Sequence, residues 1–412
     1  MSAPPVMHIL NKVDYSKHRI VTLPSNPLPP LAPSSLRLQS KILGLTTNNF
    51  TYARMGHVLG WWDIYLQPGN TRAPYNDRSQ YGCIAAWGYA EIIASTVPGI
   101  GVGSTVFGFL PISTLPEDVR IEYTGMKNQI FVVDKHREHL WKIYNRYQIH
   151  PPLAELEKTK TLDFLGWDSL MLGLYATSWN LNIYGFAWEG KNLIHPRGRG
   201  EWSTEDANLD GSTVILLNAS GKTGMAFAYT LRHDRPEEHQ PTTIIGVSSA
   251  ASRTALENSG FYDVTMLNSD DQTAKQLVET SGTRRVILFD FGAREGAAAT
   301  WRTTLSTATV PFMFIGIGAE VKVLHPDDAS QRLTQIYGHI QVHAGELKEK
   351  GIDVAGESYF DAFDTAWDEC KRKGGIPGME LQWGEGLEDW EKGWEALCQD
   401  NVKASTGLVY RI

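Results

Sequence analysis

Between residues 213 and 317 the chain alternates short apolar runs with helix-patterned ones, and that alternation leaves few folds open. The apolar runs are Val214–Leu217, Thr243–Val247, Val264–Leu267, Val286–Phe289 and Phe312–Ile317. Each is short, bounded by turn residues and rich in β-formers, so each reads as a strand. Met225–His233, Arg253–Ser259, Gln272–Glu279 and Thr300–Ser306 lie between them with helical patterning. Repeated strand–helix alternation with wholly apolar strands specifies an α/β class fold, a parallel sheet covered on both faces.

The first strand of the series runs into Asn218-Ala219-Ser220-Gly221-Lys222-Thr223-Gly224, and a helix opens near Lys222. A strand, a small-residue turn and a helix N-terminus place backbone N–H groups where a pyrophosphate binds. Only Gly221 and Gly224 of the G-x-G-x-x-G spacing are glycine. Asn218 stands where a glycine would ease the turn, and asparagine tolerates positive φ. Ser220, Gly221, Lys222, Thr223 and Gly224 are the cofactor-binding candidates here. The second strand ends in Gly246-Val247-Ser248-Ser249 with Arg253 beyond. An NAD site needs a carboxylate there for the ribose 2′-OH. Ser248, Ser249 and Arg253 instead suit a 2′-phosphate, which points to NADPH. Gly292 and Gly316, at the later strands, fall at the edge where such a sheet binds ligands.

The first ~160 residues read differently. After a Pro- and Ser-rich stretch at 22–35 come the strand Ser35–Leu43 and strand–turn–strand patterns from 84 to 112. This part is β-rich. Leu162–Tyr184 has helical apolar spacing, and residues 185–212, rich in Gly, Pro and charge, read as a surface insertion. A Trp- and Glu-rich helix, Leu387–Asp400, and a strand at 407–412 close the sequence.

Composition narrows the function. The formal net charge of −8 argues against a nucleic-acid backbone as main partner. No apolar segment reaches the roughly 18 residues of a membrane span, which argues against a membrane. The N-terminus lacks a secretory pattern, and three scattered cysteines fit a reducing compartment, so the expected location is cytoplasmic. Gly221-Lys222-Thr223 resembles the end of a nucleoside-triphosphate loop, with Ile287–Asp290 as a magnesium strand, but Leu216 occupies the position that loop gives to glycine. His136/His139 and His339/His343 have helical ligand spacing without H-E-x-x-H or an obvious third ligand, so no metal is expected.

Several segments together resemble the medium-chain dehydrogenase/reductase superfamily. They are Leu43–Tyr52, Trp87–Glu91 with Gly99–Phe107, Ala219–Gly224, and Leu387–Trp394 followed by Gly407–Val409. Asn48–Ala53, Tyr175–Ser178 and Ala219–Thr223 look closest to the DUF2855 family within it. The resemblance implies a GroES-like substrate domain over 1–164, a Rossmann dinucleotide-binding domain over 165–345 and a C-terminal return to the first domain over 346–412. It implies a loop at 46–53 facing the nicotinamide, and Thr177 and Ser178 beside it. Zinc-dependent members carry an early Cys and a four-Cys lobe that this sequence lacks, so the zinc-free quinone and enoyl reductases are the better comparison. Members are often dimers, which suggests a homodimer, although no motif here specifies one.

Without a metal, charge developing on a substrate oxygen needs a donor. Tyr52, with Asn49 beside it, is the candidate catalytic group, and Thr177 is the third. Trp61 and Trp62 next to Asp63 suit an apolar substrate wall or an ordinary core. The leading expectation is an NADPH-dependent reductase of an activated alkene or carbonyl in a small, fairly apolar molecule. A non-redox cyclase, isomerase or lyase on the same scaffold, and an NADPH-binding sensor, are the alternatives.

Overall fold

The computed structural model describes residues 3–294, 296–318 and 340–412. In chain order the first strands are β1 (Val6–Asn11), β2 (His18–Thr22), β3 (Ser35–Leu45), β4 (Tyr81–Gly82), β5 (Ala85–Ser95), β6 (Thr105–Pro111), β7 (Glu117–Tyr123), β8 (Gln129–Val132) and β9 (Arg146–His150). β10 (Ser212–Leu217), β11 (Thr243–Ser248), β12 (Val264–Leu267), β13 (Arg285–Phe291), β14 (Phe312–Gly318) and β15 (Ile340–Gln341) follow. β16 (Glu380–Glu385) and β17 (Thr406–Arg411) come last. Four helices matter below: α1 (Asn48–Arg54), α2 (Leu162–Asn180), α3 (Lys222–His233) and α4 (Gly386–Cys398). The described residues fall into two compact units, 3–171 with 380–412, and 172–318 with 340–379.

The first unit is built on one long strand. β3 pairs along one edge with β5. Its other edge is divided: Ser35–Leu38 pair with β7, and Ile42–Leu45 pair with β17. The order β3-β5-β6-β9-β8-β7 therefore returns to β3 and closes a barrel, with β17 and β16 added beside it. Two register shifts in β3, at Arg37/Leu38 and Ser40/Ile42, accompany this change of partner, since bulges bend a strand and increase its twist. Gly88 makes the close pairing of β3 with β5 feasible, because a Cβ there would lie 1.9 Å from the Ile42 carbonyl oxygen. A small sheet, β2-β1-β4, belongs to the same unit, and α4 packs on β1 and β2.

The second unit holds a parallel sheet in the order β12-β11-β10-β13-β14-β15. This is the doubly wound order, with its topological switch between β10 and β13. Its strands are apolar because both faces are covered. On one face Ile215, Leu217, Ile245, Val247 and Leu288 pack with Trp301 and Leu305 in one cluster. The five strands read from the sequence are all present, β12 with the same bounds and the other four lengthened by one to three residues, and so are the four intervening helices.

The segment 185–212 corrects the sequence reading. It is not merely a surface insertion: Phe186, Ala207 and Leu209 are buried. Phe186 packs on Phe289 with ring centroids 5.2 Å apart. The Arg285 guanidinium donates to the carbonyls of Asp206 and Asn208. The glycines and prolines of this stretch allow turns between buried anchors, and composition alone does not reveal those anchors.

Candidate functional site

In the second unit, four strand ends converge at one edge of the sheet. Leu217 pairs with Val247 on one side and Asp290 on the other, Asp290 pairs with Gly316, and Phe291 pairs with Gly318. The carboxyl ends of β11, β10, β13 and β14 are thus adjacent, at the switch point where open α/β sheets bind ligands. Ser220–Gly224, Ser248, Ser249, Gly292 and Gly316 all stand at this edge or immediately beyond it. Arg253 begins the short helix after β11.

The turn after β10 is held from several directions. Asn218 adopts φ 54°, the left-handed conformation that a glycine would otherwise supply. Its Nδ2 donates to the Phe291 carbonyl at 3.1 Å, spanning the switch point. Ala219 N–H donates to the Val247 carbonyl at 3.0 Å, and the hydroxyl of the half-buried Tyr262 donates to the Ala219 carbonyl at 2.9 Å. Ser178 on α2 donates to the Thr223 carbonyl at 2.9 Å. Gly224 is required by proximity: a Cβ there would lie 2.9 Å from the Asn218 carbonyl oxygen.

Gly221 caps α3 without a side chain. The first turn of a helix has donors with no intrahelical acceptor, and its dipole favours an anion. Lys222 occupies the first helical position, and burial brings its ammonium down to about 8. A ligand phosphate would favour the charged form further. Gly292, at φ 92°, follows β13, and its N–H and that of Ala293 donate to Asp290 Oδ1 at 2.9 and 2.8 Å. Asp290 is therefore the acceptor of a tight turn. At the end of β11 the Ser248 hydroxyl donates to the Ser249 carbonyl at 3.1 Å. Arg253 is exposed and pairs with Glu257 at 2.9 Å. Thr177 donates to the Gly173 carbonyl one helical turn back, at 3.0 Å.

Asn49 and Tyr52 belong to the first unit. Asn49 Oδ1 accepts the Thr46 N–H at 2.9 Å, and its Nδ2 donates to the Ala85 carbonyl at 3.1 Å. Both ends of that side chain are committed to fixing the loop before α1. Tyr52 is 2% exposed and surrounded by Trp61, Phe109 and Tyr144. Its oxygen accepts from Trp87 Nε1 at 3.0 Å and Asn48 Nδ2 at 2.7 Å. Burial raises its pKa above the usual phenol range. A cavity of about 320 Å³ adjoins this group and is lined by His57, Val58, Trp61, Asp63, Trp141 and Tyr144 among others. Trp61 and Asp63 thus face a cavity. Trp62 is buried, and its ring closely covers Gly56 and Gly82.

Sequence reasoning missed Tyr262 and the bracing role of Asp290. The Asp-x-Gly spacing at 290–292 is a turn signature and could have revealed the latter. Nothing local connects Tyr262 to Ala219. Among the described residues no group of three or more His, Cys, Asp or Glu is placed to hold a metal. His343 accepts the Glu346 N–H as a helix cap, and His339 lies outside the described residues. No helix among them is long and apolar enough to cross a membrane.

A search of curated proteins gives no match. Solved structures share the fold at low identity. The Etr1p complex with NADP and crotonyl-CoA aligns at a TM-score of 0.57 and 8% identity, covering 100% of both chains. CurA from Vibrio vulnificus in complex with NADPH aligns at 0.51 and 12%, covering 99% of this chain and 98% of that one. The CurF ER cyclopropanase of curacin A biosynthesis aligns at 0.52 and 13%, covering 99% of both. The barrel and the doubly wound sheet are the GroES-like and Rossmann parts of the medium-chain reductase fold. The family model described as "Protein of unknown function (DUF2855)" matches residues 43–403, so the chain belongs to the DUF2855 family.

Proposed function

We propose that this protein is a zinc-independent, NADPH-dependent reductase of an activated alkene or carbonyl in a small, fairly apolar molecule. The observation that carries the reading is the sheet edge described above. Four strand ends meet at the switch point, and Asn218 holds the turn that brings the backbone to the start of α3. Ser220, Gly221, Thr223 and Gly224 would hold the pyrophosphate, with Lys222 adding charge. Ser248, Ser249 and Arg253 would receive the 2′-phosphate, because β11 does not end in a carboxylate that would select a free 2′-hydroxyl. Gly292 and Gly316 would leave room for the rest of the dinucleotide.

Bound NADPH supplies the hydride. The residues of this chain bind, orient and exclude water. Asn49 would position the loop, and Tyr52, whose oxygen accepts from Trp87 and Asn48, would hold that cluster while its own O–H serves as the candidate proton donor. Ser178 would support the turn from α2, and Thr177 would stand beside the nicotinamide. The cavity beside Trp61 and Tyr144 suits a small apolar group, consistent with the substrate class.

One observation favours a second reading. Asn49 is held at both ends of its side chain, Tyr52 is buried with its oxygen accepting twice, and the CurF ER cyclopropanase shares the fold. A non-redox cyclase, isomerase or lyase, or an NADPH sensor, would keep the dinucleotide edge and dispense with reduction.

Titration with NADPH and NADH tests the proposal. NADPH should bind more tightly, and Arg253→Ala should weaken it roughly tenfold while sparing NADH, the effect of losing one charge-assisted contact. Gly224→Trp should abolish binding of both. With an enoyl thioester or quinone panel, stoichiometric NADPH consumption supports a reductase. Product without consumption supports the non-redox reading, binding without turnover supports a sensor, and no binding at millimolar nucleotide sinks the dinucleotide argument.

A further inference from the structure

A cavity of about 690 Å³ in the first unit lies between β2, the Tyr75–Tyr81 segment and α4. Glu395 and His18 line it, and from them a line of four side chains runs inward to His8 and Trp390. Trp390 Nε1 on α4 is 3.1 Å from His8 Nδ1 on β1. His8 Nε2 is 3.1 Å from His18 Nδ1 on β2. His18 Nε2 is 2.9 Å from Glu395 Oε2, back on α4. His8 is fully buried, and the His18 side chain is 5% exposed. Trp394 packs edge-on to both imidazoles.

One end of this line fixes the direction of every bond. An indole N–H only donates. His8 Nδ1 must accept, so its proton sits on Nε2 and donates to His18 Nδ1. That nitrogen is then unprotonated, and the proton of His18 sits on Nε2 and donates to Glu395. Both rings are neutral. The His18–Glu395 contact has ion-pair distance but is a neutral donor on a carboxylate.

We propose that this line is a proton-sensitive latch, in which a proton entering the histidine pair breaks the Trp390–His8 bond and releases α4 from β1 and β2. A second proton on His18 would sit on Nδ1, facing His8 Nε2–H. His8 could yield only by moving its own proton to Nδ1, where it meets the indole N–H. The indole cannot reverse. Acid therefore cannot be absorbed by reorientation along the line, and the bond between elements must open.

The surroundings reinforce the block. Burial, and then His18, hold His8 well below the usual imidazole range. The His18 bond holds the Glu395 carboxyl low, so Glu395 stays an acceptor. Lys17 and Arg19 line the same cavity and oppose further positive charge. Asp14 is satisfied by Ser16 and Lys17, Glu391 accepts the Ile20 N–H, and Lys392 pairs with Asp389. Burial pushes the nearby Cys398 thiol up to about 12, so it carries no charge in the acid range, and Tyr75 and Tyr81 also line the cavity. The folded state thus takes up fewer protons than the unfolded chain below the ordinary imidazole value of roughly 6.5. The latch contributes fully above that pH and is lost as pH falls.

The test is histidine-selective ¹⁵N NMR on the full chain, with His8→Gln and His18→Gln for assignment, alongside hydrogen exchange of α4. Both rings should be neutral with the proton on Nε2 at pH 6.5. Exchange of Gly386–Cys398, corrected for intrinsic chemistry, should rise tenfold or more as the pair takes its proton. Trp390→Phe removes the donor-only end, so the pair should accept a proton at least one pH unit higher than in the wild type. A doubly protonated His18 beside an intact indole bond would overturn the proposal, as would an unchanged titration in Trp390→Phe. If that variant does not fold, the wild type decides: a proton on His8 Nδ1 already at pH 6.5, before the pair takes up acid, or exchange of α4 independent of pH, refutes the latch.

Discussion

Tyr52 shows how a residue type can be legible while its role is not. The sequence places a phenol in the right loop, but the partners that commit it, Trp87 and Asn48, include one that only the barrel brings near. Tyr52→Phe should cost about 1–3 kcal/mol in urea denaturation, because it strands the Trp87 and Asn48 donors inside the fold. Undiminished stability with lost turnover would instead restore Tyr52 as a direct proton donor. Asn218 is the opposite case. Its left-handed conformation was readable, since few residue types tolerate φ 54°. Asn218→Val should destabilise by roughly 1–2 kcal/mol through its Cβ branch, the left-handed penalty for an L-residue. Asn218→Gly should fold and lose only the bond to Phe291, which thermal melts of the two variants side by side would resolve. The contact of Tyr262 with Ala219 joins residues far apart in sequence, and no local signal encodes it.

At the level of elements, the parallel sheet was legible because burial on both faces makes the central runs of its strands apolar. The helices between them announced themselves by spacing. The barrel was less legible: β7, β8 and β9 mix buried positions with partly or fully exposed ones without strict alternation along their whole length. The segment 185–212 misled for a related reason, since its few buried anchors are diluted among glycines, prolines and charges. Arg285 is the anchor on the sheet side. Arg285→Met should free the Asp206 and Asn208 carbonyls and open this segment, costing about 1–3 kcal/mol for buried acceptors left unmade. Limited proteolysis should then cut between residues 195 and 210 well before the rest of the chain, and equal resistance to protease would refute that anchoring.

Across the whole molecule, pH acts through groups in both units. Burial pushes Glu117 in the first unit and Asp234 in the second up to about 7. Tyr175 donates to Asp234 at 2.7 Å. A carboxyl raised on folding holds a proton that the unfolded chain has released, so its contribution is present at low pH and lost as pH rises towards 7. Glu117→Gln combined with Asp234→Asn should therefore gain stability over the wild type at pH 8 and show little or no gain at pH 4. Denaturant midpoints at the two pH values check the sign, and a larger gain at pH 4 would refute it.

The divided edge of β3 also sets a timetable for biosynthesis. Leu45 waits for Leu408, and the barrel strand that is made early keeps an open half-edge until β17 has been translated. At roughly 5–20 residues per second, that interval is on the order of tens of seconds. The parallel sheet, whose strands all lie between residues 212 and 341, is free to form first. The N-terminal barrel is therefore the later part to mature on the ribosome, and its exposed half-strand is where a chaperone would find the nascent chain.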